Sequence, residues 1–140
     1  MLNNNKHQLI LKHCQNPQNQ TEKPLKGYQT FKKEISCCGD QVIIQLKLDP
    51  KKTILDLKYE ANACSICVAS ASLMSVNMKN LDKKSSLNKI NHFIAMINKE
   101  SYDQHQLNSD LQVLDIVHQL PHKTNCVLLP WKTLQAFWLN

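Results

Sequence analysis

The sequence contains no arginine: all 17 basic side chains are lysine, set against 11 acidic residues for a formal charge of +6. The lysines occur singly or in pairs (Lys32-Lys33, Lys51-Lys52, Lys83-Lys84) and gather into no stripe. Nucleic-acid readers use the planar arginine fork for base edges and stack aromatics beside it, so no nucleic-acid partner is expected. Two glycines in 140 residues exclude collagen, the lack of sustained heptads excludes a coiled coil, and a hydrophobic content of 42% excludes wholesale disorder. No apolar run reaches the roughly 20 residues of a membrane span, and the start, Met1-Leu2-Asn3-Asn4-Asn5, has no secretory apolar core. A cytoplasmic protein with no membrane partner is expected, built as one domain over residues 1–140. That length hides enough surface to fold without covalent staples.

Cysteine, by contrast, is plentiful: Cys14, Cys37, Cys38, Cys64, Cys67 and Cys126. In a reducing compartment such a set points to metal binding or thiol chemistry rather than to a disulfide framework.

Residues 6–15 read as a short helix ended by Asn16-Pro17, because proline disfavours helical geometry just before it. Residues 16–27, with Pro17, Pro24 and Gly27, read as a loop. Three strands follow, over 28–35, 41–48 and 53–60. Alternation turns Ile44, Leu46 and Leu48 inward with Gln45 and Lys47 outward, then Leu55, Leu57 and Tyr59 inward with Asp56, Lys58 and Glu60 outward. Asp49-Pro50-Lys51-Lys52 is the turn between the last two. Beyond residue 62 the period becomes helical. Residues 63–78 are rich in Ala and Ser, small enough to lie close on a sheet, and Leu87, Ile90, Ile94 and Ile97 mark an amphipathic helix. Ser109 with Gln112 fits a capping box opening a helix that Pro121 closes. A last helix over 125–138 has Pro130 near its first turn. The expected class is α+β: a three-stranded antiparallel sheet, one face wet and the other covered by helices.

Alternation sends residues 38 and 40 to the same side of an extended chain, and Gly39 between them permits a tight bend. Cys64 and Cys126 fall near predicted helix starts, where free N–H groups and the dipole favour thiolate. Three sulfurs and one carboxylate can therefore meet at one end of the sheet, a set suited to zinc or to an iron–sulfur cluster. Buried cysteines that serve only as small hydrophobes are the competing reading, and the favoured one for Cys14, Cys37 and Cys67. The six histidines are scattered; His13 and His122 are candidates only for the rim of the pocket or a partner face.

Four segments in order resemble the NifU-like, IscU-like iron–sulfur assembly proteins. His13 with Asn16-Pro17-Gln18-Asn19 is similar to the family's His-x-x-Asn-Pro-Arg-Asn segment, and Cys38-Gly39-Asp40 to its Cys-Gly-Asp motif. Residues 61–72 resemble its Gly-x-Gly-Cys-Ala-Ile-Ser-x-Ala-Ser-x-Ser stretch, and 121–126, with Leu129 and Trp131, its Pro-x-Arg-x-x-Cys ending. The long separation of Cys64 from Cys126, and Asn125 where the scaffold branch has histidine, resemble the SufU-type branch most closely. That resemblance implies the IscU/NifU N-terminal fold and a zinc site from Cys38, Asp40, Cys64 and Cys126. It also implies Cys38 as acceptor of persulfide sulfur from a PLP-dependent, SufS-like cysteine desulfurase, with downstream assembly or recipient apo-proteins. A scaffold carrying iron or a transient [2Fe–2S] cluster is the alternative, and a zinc-stabilised binding module without sulfur chemistry a second one. Alanine at 61 and 63 in place of glycine implies strain if the backbone there is left-handed. Gln18 and Lys123 replace arginines of the family, and Cys67 replaces its serine.

Overall fold

The structure, a computed structural model, describes residues 2–35 and 39–140. Apolar alternation builds β1 (Gln29–Ile35), β2 (Asp40–Leu48) and β3 (Ile54–Asn62) into an antiparallel sheet of order β1-β2-β3. Val42, Ile44 and Leu46 on β2 are fully buried, and Ile44 and Leu46 lie opposite Tyr59 and Leu57 of β3. One expected inward residue is not there. Leu55 is 43% exposed because the register slips: Lys47 pairs with Asp56 but Leu48 pairs with Ile54. The bulge skips Leu55 and gives its inward place to Ile54, which is wholly buried.

The other face of the sheet is drier than alternation suggests. Gln45, expected outward in water, is fully buried. Segment 16–27 crosses over it, and the side chain supplies that segment's hydrogen bonds: Nε2 donates to the Lys23 carbonyl (3.0 Å) and Oε1 accepts from the Leu25 N–H (2.6 Å). The same segment lines the free edge of β3. Asn19, at φ 62°, accepts from the Tyr59 N–H at 3.1 Å, and the Thr21 N–H donates back to the Tyr59 carbonyl at 2.8 Å.

Five α-helices are described: α1 (Leu2–Gln15), α2 (Ser65–Met78), α3 (Lys83–Ile97), α4 (Ser109–Gln112) and α5 (Thr124–Leu139). None is long and apolar enough to cross a membrane. α5 lies against β1 and β2, α2 against β3, and the two helices pack on each other, with α3 on α5 and α1 on α2. Close approach is possible because Ala69, Ser70, Ala71 and Ser72 present little bulk, and all four are fully buried. The Trp131 ring stacks on Phe93 of α3, centroids 3.8 Å apart and 11° from parallel. α3 starts at Asp82, whose carboxylate accepts from the Ser85 N–H at 2.8 Å.

Two expected local features are replaced. The Ser109–Gln112 capping box does not form: Asn108 is the N-cap, without a side-chain bond. Gln112 instead spends its amide on the Gln104 and Leu107 carbonyls at 3.1 and 3.0 Å, and the chain continues as 3₁₀ turns over Val113–Gln119 and Pro121–Lys123. Pro130 sits inside α5, not near its first turn, since the helix already begins at Thr124.

Trp131 joins α5 to both α3 and α2. Trp131→Ala is expected to cost ~3–5 kcal/mol in urea unfolding; a loss under about 1 kcal/mol would show that the stack on Phe93 is not part of the cooperative core.

Candidate metal centre

At one end of the sheet β1 gives way to β2, and Ile35 pairs with Asp40. Gly39, just before Asp40, has φ 71°. A Cβ at Gly39 would meet nothing within 4 Å, so the backbone conformation and not space calls for glycine. β3 returns to the same end, where Asn62 pairs with Gln41. Two residues later Cys64 is the N-cap of α2, at φ −66° and ψ 163°, and its side chain makes no capping bond. α5 packs along α2 and brings Cys126, its third residue, to the same place.

Asp40, Cys64 and Cys126 thereby each offer a ligand atom, all within 4.8 Å of one another. Asp40 is 7% exposed and Cys126 2%, while Cys64 is half-buried and forms the open side. Burial, then the neighbouring Cys64 and the negative Asp40, push the Cys126 thiol up to about 12. Asp40 Oδ2 is buried and has no hydrogen-bond partner among the described residues. An unpaired buried carboxylate oxygen costs about 1–3 kcal/mol or more. A cation among the three groups would satisfy that oxygen and stabilise the thiolate of Cys126. Two soft sulfurs and one oxygen are donors that zinc accepts in tetrahedral sites.

Cys38, expected as the third sulfur, and Cys37 beside it lie outside the described residues. Neither Ala61 nor Ala63 adopts a positive φ, so replacing glycine there introduces no such strain. Cys67 is fully buried one turn into α2. Cys14 lies beside α2, its Sγ donating to the Ser65 carbonyl at 3.2 Å, outside the three-residue group. His13 is part-buried, with Nδ1 2.7 Å from Ser72 Oγ, and burial lowers its pKa. His122 is exposed. At position 18 the backbone does the holding: the Gln18 N–H donates to Ser72 Oγ at 2.8 Å.

The serines of residues 61–75 do more than save space. Ser70 Oγ donates to the Val127 carbonyl at 2.6 Å and accepts from the Trp131 indole N–H at 3.0 Å. Ser75 Oγ accepts from the Asn19 side chain at 2.9 Å. Their helical spacing was visible in the sequence; the partners, distant in the chain, were not.

The NifU-like N-terminal domain model matches residues 5–127. The chain belongs to that family. It is 31% identical over 128 residues to the zinc-dependent sulfurtransferase SufU of Bacillus subtilis (strain 168), covering 91% of this chain and 85% of that protein. It is 32% identical over 103 residues to the iron–sulfur cluster assembly scaffold protein IscU of Thermotoga maritima, covering 74% and 70%. Among solved structures, a protein of Fervidobacterium islandicum AW-1 assigned as a SUF-system iron–sulfur cluster assembly scaffold superposes with TM-score 0.78 at 25% identity, over 91% of this chain and 92% of that one. The antiparallel three-stranded sheet with its helices is thus the NifU-like fold.

Asp40→Asn separates the carboxylate's cost from its use. Without metal the variant is expected to unfold at the same temperature as the wild type or higher, by up to ~1–3 kcal/mol of relieved desolvation; with zinc it is expected to gain less than the wild type. Paired thermal melts with zinc and with chelator check both signs. Cys126 enters as a thiol, so zinc uptake is expected to release protons and to weaken as pH falls; calorimetric titration in two buffers of different ionisation enthalpy measures the protons.

Proposed function

We propose that this NifU-like domain, residues 1–140, is a SufU-type sulfur acceptor of the cytoplasm. It binds zinc through Cys38, Asp40, Cys64 and Cys126 and relays sulfur from a PLP-dependent cysteine desulfurase into iron–sulfur cluster assembly. The observation that carries this reading is the convergence of Asp40, Cys64 and Cys126, with a buried carboxylate oxygen that lacks a partner among the described residues. The SufU relative of similar length supports the sulfur-transfer role.

Bound there, zinc would keep the sulfurs as thiolates at neutral pH and guard them from oxidation. Asp40 supplies the hard oxygen, and Gly39, at positive φ, turns the chain into Asp40. Cys64 and Cys126 are held on two helices locked to each other, so they act as the fixed side of the site. Cys38, of the Cys38-Gly39-Asp40 motif, is the acceptor. Its thiolate attacks the terminal sulfur of the desulfurase persulfide; an S–S bond forms at Cys38, the partner's S–S bond breaks, and the partner cysteine leaves as thiolate. Recipient apo-proteins or downstream assembly factors then take the sulfur.

A scaffold holding a [2Fe–2S] cluster is favoured by the likeness to the Thermotoga IscU and to the Fervidobacterium scaffold protein. Asn125, exposed beside Cys126, offers an amide where an imidazole would be the better extra ligand.

Purified protein is expected to contain stoichiometric zinc and to stimulate a cysteine desulfurase, and Cys38→Ser is expected to abolish the stimulation. Elemental analysis with a sulfide-release assay tests this. Protein free of both zinc and iron would overturn it, and a stable visible chromophore transferable to an apo-ferredoxin after anaerobic reconstitution would replace it with the scaffold reading.

A further inference from the structure

The two outer strands of the sheet are treated differently. β3 has segment 16–27 laid along its edge, through Asn19 and Thr21. β1 pairs only with β2, and its other edge meets no backbone among the described residues. Gln29, Thr30 and Lys32 on that strand are exposed. An open edge commonly carries a charged guard against stray pairing, and Lys32 fits that role. A guard does not explain the hollow beside it. Gln29, Thr30 and Phe31 line a groove of about 510 Å³, together with Phe137 near the end of α5, Lys52 of the turn after β2 and Lys83 at the start of α3. That volume is in the range of ligand sites. The Phe31 and Phe137 rings meet edge to face, centroids 6.2 Å apart, and both are only part-buried, so ring surface is left open to the groove. Neither Lys52 nor Lys83 forms an ion pair among the described residues. Asp49 also lines the groove, but its Oδ1 accepts the Lys51 and Thr53 N–H groups at 2.9 and 2.8 Å, which ties it to its own turn.

We infer that this groove is a docking site for an extended, acidic segment of a partner protein, added as a fourth strand at β1 with a bulky apolar side chain against Phe31 and Phe137. Strand addition takes its affinity from main-chain hydrogen bonds and its selectivity from pockets for alternate side chains. The free edge of β1 offers the first and the aromatic groove the second. Charge selects the occupant: acidic side chains meet Lys52 and Lys83, whereas a second copy of this chain would set lysines against lysines. The groove is remote from the metal centre. β2 runs from Asp40 to Leu48, which lines the groove, a span of roughly 25 Å at the rise of a strand. A partner held here therefore leaves the metal end open to another protein. The inference uses none of the metal-centre residues and stands or falls apart from the zinc-site reading.

The probe is a blocked eight-residue peptide alternating glutamate with phenylalanine and leucine, titrated into the isotope-labelled full chain. Amide shifts are expected to be confined to residues 29–32, 48–52, 83 and 137–140, with slowed hydrogen exchange at β1. Lys52→Glu/Lys83→Glu is expected to weaken binding at least about tenfold, and lysine in place of glutamate in the peptide to do the same. Position 83 lies in the first turn of α3, where an acidic side chain suits the helix, so an unchanged melting temperature is expected alongside the lost binding. The inference is overturned if the shifts are absent or fall elsewhere, if the double variant binds like the wild type, or if the lysine peptide binds equally well. Slowed exchange at β1 without peptide, in protein that sediments as a dimer, would give the edge to a second copy and overturn it as well.

Discussion

Ser70 stands where α2 and α5 meet, and its hydroxyl is used twice, donating to the Val127 carbonyl and accepting the Trp131 indole N–H. Both partners belong to α5 and flank Pro130, so one fully buried oxygen sets how far along α2 the second helix sits. Cys64 and Cys126 are carried by those two helices. Their separation is therefore inherited from a hydrogen-bonded contact within the core rather than from the metal site itself. A hydroxyl in that position is stringent: alanine would leave an indole N–H and a carbonyl buried without partners, which is costlier than the absence of the bond alone.

The second constraint is electrical. Apolar packing brings a carboxylate and two thiols together, where burial and the neighbouring Cys64 and Asp40 disfavour charge on Cys126. Among the described residues no lysine pairs with Asp40, although lysine is abundant. A cation held there would meet the demand of the Asp40 oxygen, which has no hydrogen-bond partner among the described residues.

Much of this was legible beforehand. The strands, their order and the long helices follow from apolar period, and Asp40, Cys64 and Cys126 converge as their places at a strand start and two helix starts suggest. What was not legible depended on contacts between distant segments. Leu55 fits the alternation perfectly, but the bulge after Lys47 is a property of pairing, invisible in either strand alone. Gln45 looks like a solvent residue until segment 16–27 is laid over it. Ser109 and Gln112 have the spacing of a cap, yet Gln112 finds better acceptors in the preceding loop. Cys38 lies outside the described residues, so its proposed role rests on its motif.

Pro130 carries a last consequence. A proline offers no N–H, so the carbonyl of Cys126, four residues earlier, receives no rung from the helix ladder at that point. The opening turn of α5 is thereby stitched to the remainder more loosely than its neighbours, although Ser70 clamps the adjacent carbonyl of Val127. Where the proline removes one rung, a serine of the neighbouring helix supplies a tie, and Cys126 keeps its fixed place on α5.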